Sequence, residues 1–337
     1  MFPIDENGRK PSFATCVYIK SVFPTVRKFI VFDEVSLMKR NGPATKNKKY
    51  LAILLVVIMV FSVFVIFFGN SLKTGSNNDF STKAVEDNSS TIPFSQIPGK
   101  HINHKYNSIV DGLNMSSEGV MSAIYIDLQK SKGTPLETLF KSKDLKDFYG
   151  VDVTRCYRAN YANGTGFELN QIPEQKILMP WGSVPYHGYN LLLKTNNTYN
   201  LWTVVGNPVI SGSRQSVKDV IDIMEKNKTS TREYDQILSQ VEPVNVIIEE
   251  VVTKNNVTNI PAEQYYMDLK KLDNGSYMQT FMFLNSEPKV TKNIAALKAS
   301  SNERGVTYDV INSGNIIKLK INSDFASLNN ETKLLSL

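Results

Sequence analysis

The hydrophobic pattern of this 337-residue chain is broken into two regimes by one stretch. Residues 51–68 read LAILLVVIMVFSVFVIFF, with Ser62 the only polar side chain and no charge. A bilayer core about 30 Å thick takes ~20 apolar helical residues at about 1.5 Å each. A lone span in lipid must satisfy its own backbone hydrogen bonds, which a helix does. A buried core helix keeps a polar stripe, and this stretch has none. The pattern predicts a single transmembrane helix over 50–69. The run is longer than the apolar centre of a cleaved signal peptide, and Phe67, Phe68, Gly69 and Asn70 lack the small-x-small pattern of a cleavage site. An uncleaved signal anchor is therefore expected.

Past the span the periodicity becomes that of a folded domain. Residues 70–91 are rich in Ser, Asn, Asp and Lys and read as a flexible stalk. Strand patterns cover 120–128, 151–157 and 166–169, with a helix over 135–149 ended by Gly150. Residues 189–194 and 199–205 read as a hairpin around Asn196-Asn197. Ser213 caps a helix whose Val217, Val220, Ile221 and Met224 fall at i, i+3, i+4 and i+7. A short helix over 232–240 and a strand over 244–252 follow.

The last third repeats that plan. Residues 265–272 and 277–284 form a hairpin across Asn274-Gly275, a dipeptide suited to a type I′ turn. Pro288 opens a helix containing Val290, Ile294 and Leu297, which Gly305 ends. Residues 306–311 and 316–321 then pair. The expected fold class is α+β: mainly antiparallel sheets with helices on one face, carried on the N-terminal transmembrane helix. Its parts are a first α+β segment over 92–185, two hairpin–helix–strand units over 186–325 and a tail over 326–337. Tyr189/Lys194 and Tyr266/Lys271 occupy matching places in the two units. That match fits a diverged duplication as well as it fits two segments with common turn chemistry.

Charge assigns the sides of the membrane. Lys39, Arg40, Lys46, Lys48 and Lys49 precede the span, and only Lys73 and Lys83 follow it closely. Residues 1–49 are then cytoplasmic and the C-terminal part external. The formal net charge of +6 lies wholly in residues 1–49, which hold ten Lys+Arg against four Asp+Glu. Residues 70–337 hold 28 of each. The basic excess thus serves topology and contact with membrane lipid beside residues 51–68. No basic block is left to track nucleic-acid phosphates. Met38 is followed by a complete basic flank and anchor, so residues 1–37, with scattered Phe and Pro, are expected to be untranslated.

Cys16 and Cys156 fall on opposite sides of the membrane, so no disulfide within the chain is expected, and Cys156 reads as a buried thiol. Asn-x-Ser/Thr sequons stand at Asn88, Asn114, Asn163, Asn196, Asn227, Asn256, Asn274 and Asn330, all on the external side. They predict a glycoprotein in an organism that glycosylates.

Catalytic patterns are sparse. His101, His104 and His187 lack an HExxH frame, and Lys100 and Lys105 flank the first pair unfavourably for a cation, so no metal is expected. There is no G-x-S-x-G, no P-loop and no dinucleotide loop, so no cofactor is expected. Glu249 and Glu250 are adjacent in a strand and point to opposite faces. Asp268 or Asp309 would have to join another carboxylate in space. The most distinctive loop, residues 179–189, carries Trp181, Tyr186, His187 and Tyr189 with two prolines. It reads as a rigid aromatic platform or as core filling.

These readings favour a non-enzymatic binding or assembly module on the outer side of the cell membrane. Its partner would be a protein, a surface glycan or a second copy in a homo-oligomer. Strand addition at an open sheet edge is one route to such binding. The alternative is a cell-surface hydrolase whose carboxylates come from separate strands.

Overall fold

The computed structural model describes residues 91–138, 140, 143–180, 182–193, 201–242, 244–254 and 260–335, with 143 and 144 described by backbone alone. The predicted anchor, the cytoplasmic tail and the stalk up to residue 90 lie outside these residues. Among the described residues no helix is long and apolar enough to cross a membrane.

The strands of the first half are β1 (Thr91–Pro93), β2 (Ile102–Asn103), β3 (Val120–Asp127), β4 (Arg155–Tyr161), β5 (Gly166–Gln171), β6 (Lys176–Leu178), β7 (Gly182–Tyr186) and β8 (Tyr189–Leu193). Those of the second half are β9 (Trp202–Val204), β10 (Gly206–Asn207), β11 (Val209–Gly212), β12 (Val246–Thr253), β13 (Gln264–Lys271), β14 (Tyr277–Leu284), β15 (Thr307–Ser313) and β16 (Ile316–Ser323). The helices are α1 (Ile109–Leu113), α2 (Leu128–Ser131), α3 (Lys143–Tyr149), α4 (Arg214–Met224), α5 (Asp235–Leu238), α6 (Pro288–Ala299) and α7 (Phe325–Leu334).

Twelve strands join in one sheet, in the order β15-β16-β14-β13-β12-β3-β4-β5-β11-β9-β8-β7. Every pairing in it is antiparallel. β3 and β12 meet at the centre, with Glu249 directly across from Tyr125. Two small ribbons, β1 with β6 and β2 with β10, lie beside it. The α+β class and the antiparallel sheet agree with the sequence pattern.

The helices do not keep to one face. Ile124, Ile126, Ile248, Leu269, Phe281 and Leu319 belong to one buried cluster. Their strand neighbours Ala123, Tyr125, Tyr266 and Met282 belong to another. Successive strand residues point to opposite faces, so the two clusters lie on the two sides of the sheet. Leu128 of α2, Tyr149 of α3, Ile294 of α6 and Leu328 of α7 pack into the first. Leu113 of α1, Val217 and Val220 of α4 and Ile237 of α5 pack into the second. The expectation of one covered face fails because the central strands are apolar on both sides. A sheet wetted on one side alternates cleanly, and VIIEEVV and YMQTFMFL do not.

Local chemistry accounts for most element ends. Ser213 Oγ accepts the Ser216 amide and caps α4 as expected. The 135–149 helix is confined to α3, which stops where Gly150 takes φ 78°. The β13–β14 hairpin is not a type I′ turn, because only Gly275 is left-handed, at φ 84°. The Gly275 amide bonds the Leu272 carbonyl and the Leu272 amide bonds the Ser276 carbonyl, the arrangement of a type I turn followed by a glycine bulge. The β8–β9 hairpin pairs as expected, Leu192 with Thr203, while its turn at Asn196 lies outside the described residues. Most of the expected tail folds as α7. Asp324 caps α7, and Leu328 and Leu335 bury seven residues apart against the sheet.

Candidate functional site

The aromatic segment folds as the β7–β8 hairpin around a two-residue loop. His187 at φ 48° and Gly188 at φ 82° give the type I′ geometry that suits the twist of paired strands. Trp181 lies outside the described residues. Tyr186 donates its hydroxyl to Asp222 of α4 at 2.9 Å, and its ring receives the Lys218 ammonium at 4.6 Å. Exposed His187 has Nε2 3.5 Å from the same carboxylate. Tyr189 is buried and donates to Glu225 at 2.9 Å, and Lys100 reaches Glu225 at 3.1 Å. Burial, then its bond to Glu225, pushes the Tyr189 phenol up to about 12. Tyr186, His187 and Tyr189 thus share the work of fastening the outer hairpin to α4.

A second cluster sits at the middle of the sheet. Glu249 of β12 lies directly across from Asp268 of β13. Tyr266, two residues from Asp268, faces the same side. Its hydroxyl is 3.3 Å from Glu249 Oε1 and 3.1 Å from Asp268 Oδ2. The Ile109 amide, at the start of α1, donates to Glu249 Oε2 at 3.0 Å. One phenolic proton cannot satisfy two carboxylates, so this trio is fully bonded only when one acid keeps its own proton. The electrostatics agree. Burial pushes Glu249 up to about 7, with Asp268 adding to the rise and the Ile109 amide opposing it. Burial also raises Asp268, against the pull of Lys270 and the Thr280 hydroxyl. Glu250 lies on the opposite face, as the strand period requires, and burial alone pushes it up to about 7.

The acid pair has little access. Asp268 is 2% exposed and Glu249 is 0% exposed. Asp268 borders a cleft between β13, β14, β16 and residues 240–242, lined also by Lys270, Thr280, Lys318, Lys320 and Glu242. Its interior offers about 10 Å³. That is roughly the room one water needs. Glu249 does not line this cleft, so the two acids do not face a common space. The cleft's lysines escaped the sequence reading, although Lys318 and Lys320 flank Leu319 at strand period and so share a face.

The other expected positions are dispersed. His101 Nε2 is bonded to the Ile97 carbonyl at 2.9 Å. Among the described residues no group of three or more His, Cys, Asp or Glu is placed to hold a metal ion. Cys156 is half-buried, and burial pushes its thiol up to about 12. Asn114, Asn163, Asn227, Asn274 and Asn330 are all exposed. Asn163 and Asn274 each accept from the residue two places on in a tight turn. Asn88, Asn196 and Asn256 lie outside the described residues.

The sheet's two ends complete the inventory. β7 and β15 each pair on one side only. Ser313 and Ile316 flank a two-residue loop, so they form a mutually bonded pair, and alternate residues outward from it do likewise. Thr307, Asp309, Ile311 and Ser313 therefore bond β16, and the amides and carbonyls of Tyr308, Val310 and Asn312 point away from the sheet. Among the described residues nothing pairs with that row. The same reasoning from Tyr186 and Tyr189 turns Ser183 and Pro185 outward on β7. Proline has no amide to offer there. β15 carries no proline, and its Ile311 is 45% exposed. Set against known proteins, the chain matches no family model, no curated protein and no solved structure.

Proposed function

We propose that the chain is a membrane-anchored, extracytoplasmic binding or assembly module that takes an extended partner segment onto β15 by strand addition. The carrying observation is the outward row of Tyr308, Val310 and Asn312, with exposed Ile311 beside it. An open, proline-free edge of seven residues is a template for another strand. The anchor rests on residues 51–68 and the one-sided basic flank. The exposed sequon asparagines suit a glycosylated outer domain. The hydrolase alternative would draw on Glu249 and Asp268, but only Asp268 borders the cleft, and Glu249 is fully buried away from it.

The strand order also supports two diverged units, divided elsewhere than the hairpins suggest. β3-β4-β5 and β12-β13-β14 are both three-strand meanders. In each half the third strand is joined on its outer side by a strand returning from the edge, β11 in one and β16 in the other. The helices that follow, α4 and α7, pack on opposite faces, so the likeness is confined to the strands.

Asn312→Pro tests the edge. It deletes an outward amide and spares the ladder to β16. A photo-crosslinker at Ile311 of the full-length chain in its own membrane is expected to capture a partner, and capture is expected to vanish in Asn312→Pro. Undiminished capture, or none by the unaltered edge, would sink the reading.

A further inference from the structure

The cleft beside Asp268 offers something beyond the strand edge. Three lysines from two strands converge there: Lys270, 8% exposed, Lys318 and Lys320. Lysine is seldom buried without a partner. Among the described residues the Lys270 ammonium makes neither an ion pair nor a hydrogen bond. Lys318 spends one proton on the Gln240 carbonyl at 2.8 Å. Thr280 lines the cleft as well, with its hydroxyl engaged by Asp268. Asp268 Oδ1, at the cleft's floor, is buried with no hydrogen-bond partner. Burial raises its carboxyl, and the Lys270 charge and the Thr280 hydroxyl oppose the rise.

The chain supplies one anion to these donors. Glu242 Oε1 stands 3.5 Å from Lys318 and 3.7 Å from Lys320. Charge-assisted bonds close to about 2.7–2.9 Å when well seated. Glu242 is thus a loose counter-ion on an exposed side chain, and Lys320 and Lys318 still hold its carboxyl below the usual range. It occupies the mouth of a site whose donors it does not use up.

We infer that the cleft formed by Lys270, Lys318, Lys320 and Thr280 binds a small tetrahedral oxyanion, a sulfate or phosphate group, which displaces the Glu242 carboxylate. The lysines supply both the charge and the directed N–H donors, and the exit of Glu242 frees its place at the cleft mouth. On the outer side of a membrane such groups come on sulfated glycans or as phosphoryl groups, and both present the same oxygens.

Calorimetric titration of the full-length chain with inorganic sulfate, and separately with inorganic phosphate, tests this at ionic strength fixed with chloride. Glu242→Gln is expected to tighten binding about tenfold by removing the competitor, and Lys320→Gln to weaken it about tenfold. The tighter of the two anions identifies the group. Unchanged affinity in Glu242→Gln, or no binding by that variant, overturns the inference. Glu242→Gln alters an exposed side chain and decides the matter even where Lys320→Gln fails to fold. Lys320→Gln that folds and binds as tightly as the unaltered chain overturns it equally.

Discussion

The two ends of the sheet are built from the same motif, an outer hairpin on a two-residue loop, and they are finished differently. At β7 the outward row contains Pro185, and the hairpin is tied down through Tyr186 to Asp222 and Tyr189 to Glu225. At β15 the outward row keeps all its amides, and Thr307, Asp309, Ile311 and Ser313 all lie exposed. An edge strand is a liability that proteins blunt with proline, charge or cover. One end carries a proline and is tied down; the other carries the exposed Asp309 but, among the described residues, neither proline nor a covering element. Tyr186 and Tyr189 thus tie the hairpin at one end to Asp222 and Glu225, while the plainer sequence TYDVINS forms the strand at the other end.

The largest expected effect falls on the closed end. Tyr189 is buried and joins the hairpin to Glu225 and Lys100. Tyr189→Ala removes an aromatic from the core and strands its partner, at a cost of about 3–5 kcal/mol. Chemical denaturation is expected to show this as a lower midpoint at unchanged slope. Loss of partner capture without loss of stability would instead make Tyr189 a recognition residue and erase the contrast between the ends.

Next in size is a pH effect that belongs to neither end. Glu250 carries its carboxyl in an apolar cluster, at about 7 against an ordinary 4.5. The folded chain holds that proton more tightly than the unfolded chain does. Stability is then highest below about pH 4.5, falls as pH rises through 7, and stays lower above it. The span is on the order of 3 kcal/mol for this group. Glu249 acts with the same sign. Glu250→Gln is expected to match the unaltered chain at pH 4 and exceed it at pH 8, measured by denaturation at both. A flat profile in the unaltered chain would remove the buried charge from the account. The outward row of β15 contains no ionisable backbone group, so partner capture is expected to keep its pH dependence in this variant.

A smaller effect tests the fastening itself. Tyr186→Phe leaves the ring and removes the bond to Asp222 at 2.9 Å. Both groups are partly open to solvent, so the expected cost is about 0.5–1.5 kcal/mol. Amide exchange in β7 is expected to quicken while exchange in β15 does not change. Equal changes at both ends would show that the ends are not independent.

The legibility of this chain follows the range of the interactions. Local ones were readable: the Ser213 cap, Pro288 opening α6, and the paired strands around Gly275 and Gly314. Two-sided burial was written in the runs VIIEEVV and YMQTFMFL, but a short apolar run looks alike whether one face or two is covered. The closing of β7 was hidden because prolines and aromatics beside glycine read as a loop, although His187-Gly188 is a hairpin signal. The meeting of Glu249 with Asp268 was out of reach. It depends on β12 and β13 being neighbours and on their register, where a slip of one residue would send the two acids to opposite faces.

The smallest stability effect carries the sharpest test of the two ends. Ile311 is 45% exposed and bonds β16 through its backbone, which a change of side chain spares. Ile311→Ala is expected to alter stability by less than about 0.5 kcal/mol, since exposed side chains away from caps and cores contribute little. The same change removes the one large apolar side chain on the exposed side of β15. An added strand would place a residue directly across from it, and such pairs are worth roughly 0.2–1 kcal/mol each. Partner capture is therefore expected to weaken while the denaturation midpoint stays in place, the reverse of Tyr189→Ala. A midpoint that moves as far as it does in Tyr189→Ala would mean that β15 is held as firmly as β7, and that the open end is structural after all.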